Sequence, residues 1–185
     1  MLQISGGIGG GKTMLAFLCG GMEFAPEHGR EWRKDLGEWL LQNLNHQAYD
    51  PTQEARRILS AEELDGLDRW KQNDLVRFRR VMRHIINHDL DVMAHRADYV
   101  VCYWDRAAAR GGGTQAELTA AYRKSLPIYL VSEIPVSEIS GWVLGCADHV
   151  ISGFEKLKEC LRSAYGSFPR QERFWDPTSP RQTFK

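Results

Sequence analysis

Residues 97–104 read ADYVVCYW, a run with a single charge, and they constrain the rest of the chain. So short a run, rich in β-branched and aromatic side chains, reads as a strand buried on both faces. Two other runs share this character: 14–19, MLAFLC, stopped by Gly20-Gly21, and 127–131, PIYLV. HQAYDP reads as a further strand ended by Asp50-Pro51, and 147–151, ADHVI, as a last short one. Helical patterns separate them. Trp32, Leu36, Trp39, Leu40 and Asn43 recur at helical spacing over 28–43. Ser60-Ala-Glu-Glu63 fits a capping box that opens a helical stretch to about Asn87, with a break near Gly66. Thr114 to Lys124 and Phe154 to Ala164 suit two more helices. Strands alternating with helices predict an α/β fold, a parallel sheet covered on both faces. Ligands of such sheets bind beyond the carboxyl ends of the strands, near a topological switch. The loops after Cys19, Asp50 and Trp104 are therefore the candidates, with Trp104 placed to stack on a flat ring of a ligand.

Hydrophobic residues make up 43% of the 185 and charged residues 26%, which suits one globular domain. The 24 Lys and Arg balance the 24 Asp and Glu, so no overall charge draws the chain to nucleic acid or an anionic membrane. No apolar run approaches the ~20 residues of a membrane span, and the N-terminus does not read as a secretory signal. Cys19, Cys102, Cys146 and Cys160 form no C-x-x-C pair and read as reduced, packed thiols of a cytoplasmic protein.

The most conspicuous motif is Gly6-Gly-Ile-Gly-Gly-Gly11-Lys12-Thr13, which satisfies G-x-x-x-x-G-K-[ST] in full. Such a loop cradles phosphates when a strand precedes it and a helix comes after it. Here the next residues, MLAFLC, are strand-like and stop at two glycines. Residues 1–13 read instead as a glycine-rich leader to a single domain over 14–165, with a polar tail over 166–185. A P-loop ATPase or kinase, or a nucleotide-binding module without catalysis, is the alternative reading of function.

A less conspicuous segment, RAAARGGGTQAELTAA over 106–121, leaves the central strand, crosses three glycines and enters a helix with Glu117 in its first turn. A carboxylate there can attack an anomeric carbon and form a glycosyl-enzyme intermediate. On periodicity alone, Glu117 equally reads as an acid favoured by the helix N-terminus.

MLAFLCGGMEF, HDLDVMAHRADYVVCYWD, and GGGTQAELTAA followed by PIYLV resemble, in that order over about 14–152, the nucleoside 2-deoxyribosyltransferase family and its nucleotide N-glycosidase relatives. The resemblance implies a flavodoxin-like doubly wound, three-layer fold, a homo-oligomer, a small-molecule nucleoside or nucleotide as substrate, and no metal or organic cofactor. It implies that Glu117 is the nucleophile, and that Gly113 and Thr114 form a loop contacting sugar or phosphate. Gly20, Gly21 and Met22 match the loop lying against the nucleoside. Asp89 matches an acid that passes a proton to the base. Its spacing to Asp98 is one residue longer than the family pattern, which makes Asp91 the substitute. Where the transferring enzymes carry an aspartate before the glycine turn, this chain has Arg110-Gly111, with Asp105 further back. Transfer and hydrolysis therefore both stay open.

Two clusters receive plainer readings. Arg56, Arg57, Arg69, Arg77, Arg79, Arg80 and Arg83 read as a solvated helix face balanced by acids, against a 5′-phosphate grip. His84 and His88 are four apart, but HIINH lacks the Glu of H-E-x-x-H, and with His95 no metal site is expected.

Overall fold

A computed structural model describes residues 13–166. The glycine-rich motif up to Lys12 and the tail from residue 167 lie outside the described residues. Five strands form one all-parallel sheet: β1 (Leu15–Gly20), β2 (Gln47–Tyr49), β3 (Tyr99–Trp104), β4 (Ile128–Ser132) and β5 (His149–Ile151), in the order 2-1-3-4-5. This is the flavodoxin-like order, with its switch point between β1 and β3.

Helices α1 (Arg30–Leu44) and α8 (Phe154–Tyr165) cover one face, where Ala16, Leu18, Tyr99, Val101 and Val131 meet Leu36, Leu40, Leu157 and Leu161. The other face carries α4 (Leu75–His95), α6 (Gly112–Arg123) and α7 (Gly141–Cys146) over Phe17, Cys19, Val100, Cys102 and Leu130. The period-2 alternation of β1 thus sends Phe17 and Cys19 to the α6 side and Leu18 to the α1 side. A satellite core of Leu59, Trp70 and Val81 joins α3 (Ala61–Asn73) to α4.

Several boundaries differ from the sequence reading, each for a local reason. Asp50 does not simply end β2. Its carboxylate accepts from the Thr52 amide at 2.9 Å and caps α2 (Pro51–Ile58), with Pro51 at the helix start where a missing N–H costs nothing. Ser60 and Glu63 do form the capping box of α3. The helical stretch breaks at Asp74 rather than Gly66, because Asp74 caps α4 by accepting from the Arg77 amide. Asp105 likewise caps the short α5 (Arg106–Arg110), accepting from the Ala108 amide at 2.7 Å. α6 begins at Gly112, two residues early, so Gly112 and Gly113 are helical rather than a bend.

At the amino end of the sheet, two aspartates act alike. Asp98 Oδ2 accepts from the Leu15 amide at 2.8 Å, and Asp148 Oδ2 accepts from the Ile128 amide at 2.8 Å. Asp98 is therefore a strand-start staple far from the carboxyl ends.

Gly21 fixes the loop after β1. A Cβ there would lie 2.7 Å from the Ala108 amide nitrogen, so α5 packs directly on glycine backbone. Gly21→Ala is expected to push α5 outward and cost about 1–3 kcal/mol, the usual range for overpacking. Urea denaturation checks this; an unchanged midpoint would mean the contact is slack.

Candidate active site

Beyond the end of β1, polar side chains from five elements converge. β2 is only three residues long, which sets the problem they solve. Met14 O accepts from the Gln47 amide and so faces β2; by the pleat, Leu18 and Gly20 carbonyls face the same side. β2 ends opposite Phe17, leaving those two carbonyls without strand partners. Arg33 of α1 replaces the missing strand: its Nε donates to Leu18 O at 3.2 Å and its Nη2 to Gly20 O at 2.9 Å. Nη1 donates to His28 O and Gly29 O, turned inward by a left-handed stretch over Glu27, His28 and Gly29. Arg33 is 1% exposed, and its Nε lies 3.8 Å from Asp50 Oδ1. Burial lowers its pKa, and the Asp50 charge opposes that shift.

Glu117 projects from the second turn of α6, not the first. Its helix starts at Gly112, so the carboxylate stands beyond the turn where a helix dipole attracts acids. The plain dipole role is thereby weakened. Glu117 Oε2 accepts from the Cys19 thiol at 3.0 Å. The residue is partly exposed, yet its carboxyl is crowded by protein, and desolvation pushes its pKa up to about 7. The Cys19 bond and Arg33 pull it down, while Asp89 adds to the rise.

Asp89 sits on the buried stripe of α4 that includes Val81, Val92 and Met93. Its Oδ1 accepts from the Tyr49 hydroxyl at 2.5 Å. Desolvation raises its pKa to about 6, against the pull of that bond and of His88. Tyr49 stacks on Phe17 with centroids 4.9 Å apart and stays a neutral donor, since burial drives its pKa far up. Burial also lifts the Cys19 thiol well above its ordinary range, with Cys102 adding to the rise. Two carboxyls that hold their protons close to neutrality thus face two neutral donors and one fixed cation.

The remaining sequence candidates separate. Thr114 is buried, and its carbonyl lies 3.8 Å from Cys19 Sγ. Gly113 is exposed, with nothing within 4 Å of a Cβ placed on it, so the start of α6 is open to a ligand. Gly20 and Gly21 instead make room for protein: a Cβ on Gly20 would meet Trp32 and the Tyr103 carbonyl at 3.0 Å. Met22 is partly exposed beside them. Asp91 is not brought to the site. Two residues from Asp89 is more than half a helical turn, and Asp91 faces solvent, its carbonyl bonded to His95. Trp104 is also a correction: it is 1% exposed within the core and offers no face to a base.

His88 packs towards Tyr49 and Glu54, whereas His84 and His95 are exposed. Among the described residues no group of three His, Cys, Asp or Glu side chains is arranged to hold a metal. Arg57 pairs with Glu54, and Arg77 with Glu62 and Asp74. Glu23 pairs with Lys71, and the Arg110 guanidinium lies 4.1 Å from the Phe24 ring centre, so these contacts tie the segment after β1 to α3 and α5. From Thr13 the chain runs into β1, a strand, so the helix a phosphate loop requires does not stand there.

A cavity of about 420 Å³ is lined by Asp50, Thr52, Arg30, Lys34, Gln53 and Arg56; Asp50 links it to Arg33, while Asp89 and Glu117 are not among its lining residues. A larger one, about 660 Å³, lies at the amino end of the sheet beside Tyr129 and His149. Volume favours the second; the paired carboxyls and the switch point favour the first end.

Sequence reasoning missed Arg33 and Tyr49. The signal for Arg33 was present: with Leu36 and Leu40 it occupies the buried stripe of α1, where a lone charge needs a partner. A scan against protein-family models finds no match, and a search of curated proteins finds no similar sequence. Among the described residues no helix is long and apolar enough to cross a membrane.

The raised carboxyls make a stability prediction. Both hold protons more tightly folded than unfolded, so their contribution is present below about pH 4 and is lost as pH rises through 6 and 7. Glu117→Gln is therefore expected to melt higher than the native protein at pH 8, with the gap closing towards pH 4. A gap independent of pH would contradict the buried-carboxyl account.

Proposed function

We propose that this protein cleaves the N-glycosidic bond of a free nucleoside or nucleotide through a covalent glycosyl intermediate on Glu117. The observation that carries the reading is the coupled pair: Glu117, tethered by Cys19 at the switch point, is raised in pKa by burial and by neighbouring Asp89. The motif resemblance supports the same assignment from the sequence side.

The chemistry follows from the pair. Asp89, protonated, gives its proton to a ring nitrogen of the base as the C1′–N bond breaks and its electrons pass to that nitrogen. Glu117, ionised, bonds to C1′ through an oxygen; its negative charge stabilises the oxocarbenium-like transition state. A water or a second base then attacks C1′, the Glu117–C1′ bond breaks, and the incoming group's proton returns to Asp89. Water gives hydrolysis, and a base gives transfer. The reading extends to a homo-oligomer that needs neither metal nor organic cofactor.

Incubation with mixed nucleosides and nucleotides, with and without acceptor base, tests it by chromatography. Free base or exchanged base is expected, with Glu117→Ala losing turnover by at least about 10³-fold, as nucleophile removal does. An alanine variant with native turnover would refute the assignment.

Activity needs Glu117 ionised and Asp89 protonated; because Glu117 titrates at about 7 and Asp89 at about 6, this is the minor singly protonated form, and kcat/KM is expected to be bell-shaped with its apex between about pH 6 and 7. A rate that rises steadily to pH 9 would remove Asp89 as the acid.

A further inference from the structure

We propose that Cys19 is the positioning residue of Glu117: its thiol holds Oε2 and leaves Oε1 as the oxygen that bonds to C1′. The inference rests on the proposed nucleophile role of Glu117 and adds to it a residue that the motif resemblance treats as part of a packed strand.

The geometry is specific. β1 is buried on both faces, and its alternation directs Cys19 at α6, where Sγ reaches Glu117 Oε2 at 3.0 Å and Thr114 O at 3.8 Å. Thr114 is three residues before Glu117 on the same helix, so the thiol, whose one hydrogen serves the nearer carboxylate, also packs against the α6 backbone. Cys102 stands directly across the strand pair from Cys19, on the same face, and is a second hydrogen-bonding neighbour of its thiol. Among the described residues no hydrogen bond reaches Glu117 Oε1, so the two oxygens are unequal: one anchored, one available.

The groups facing Glu117 come from every neighbouring element. Asp89 on α4 and Tyr49 on β2 lie towards the cleft, Arg33 comes from α1, and Cys19 and Cys102 come from β1 and β3. Asp89 and Glu117 compete for protons, and Tyr49 donates to Asp89. A thiol donating to Glu117 brings its pKa down towards that of Asp89 and so enlarges the share of the tautomer with Glu117 ionised and the proton on Asp89, which the chemistry requires. A thiol is suited to this because it is a weak donor. It fixes the carboxylate without drawing off the negative charge the attack uses, as an ammonium would.

The test compares Cys19→Ala and Cys19→Ser with the native chain. For Cys19→Ala, kcat is expected to fall roughly 10- to 100-fold, the scale of one hydrogen bond to a charged group, with KM within about threefold. The basic limb of the pH profile, which follows the higher-titrating Glu117, moves to higher pH. Cys19→Ser, which keeps a donor, recovers most of the loss. Carbon-13 titration of the Glu117 carboxyl supplies a readout independent of turnover: its midpoint rises in Cys19→Ala and returns in Cys19→Ser. Should the alanine variant lose its cooperative melt, Cys19→Val, which fills the space without a donor, replaces it. Unchanged kcat and an unchanged midpoint without the donor overturn the proposal while leaving Glu117 the nucleophile. Full turnover in Glu117→Ala overturns the nucleophile reading itself.

Discussion

A guanidinium removed from water is costly unless its hydrogens find acceptors, and Arg33 meets that condition with backbone carbonyls of Leu18, Gly20, His28 and Gly29. The carbonyls need it as much as it needs them. β1 runs three residues past its partner β2, and a parallel strand cannot leave buried carbonyls unpaired. One side chain from α1 thus completes the sheet, sets the path of the chain into α1, and places a permanent positive charge beneath the site. Replacing it by an apolar residue would leave the buried Leu18 and Gly20 carbonyls without their donor.

That charge has an electrostatic role. Glu117 and Asp89 are two carboxyls within influence of each other in a partly dehydrated cleft, an arrangement in which both cannot easily ionise. Desolvation and Asp89 push the Glu117 pKa up; the Cys19 thiol and Arg33 pull it down. The balance falls near neutrality, so around pH 7 the pair passes from holding one proton to holding none. The site is therefore held at some expense of stability, and the surrounding packing of β1, β3 and α6 bears that cost.

Topology explains why these groups meet. In the order 2-1-3-4-5 the crossovers from β1 and β3 leave to opposite faces, opening a crevice at their carboxyl ends. α1 covers one side and α6 the other, so Arg33 and Glu117 approach the end of β1 from opposite layers. α4 adds Asp89 because the chain returns along the α6 side before entering β3.

Local chemistry made much of this legible in advance. The apolar runs of β1, β3 and β4 are strands by their length and side-chain type. The Ser60–Glu63 box and the strand-start place of Asp98 depend on neighbours in sequence, so they could be read from the string. Glu117 and Asp89 could be singled out, but only as carboxylates in suggestive places. What the folded chain alone decided is which groups touch. Asp89 and Asp91 look alike in HDLDV; helical rotation buries one and exposes the other. Trp104 looked available at a strand end, and the α6–α7 layer closed over it. Arg33, Tyr49 and Cys19 are separated from Glu117 by up to 98 positions, and no local rule joins them. Secondary structure obeys interactions a few residues long, whereas a site obeys the sheet order and the layer each helix takes, and those are settled only when the whole core packs.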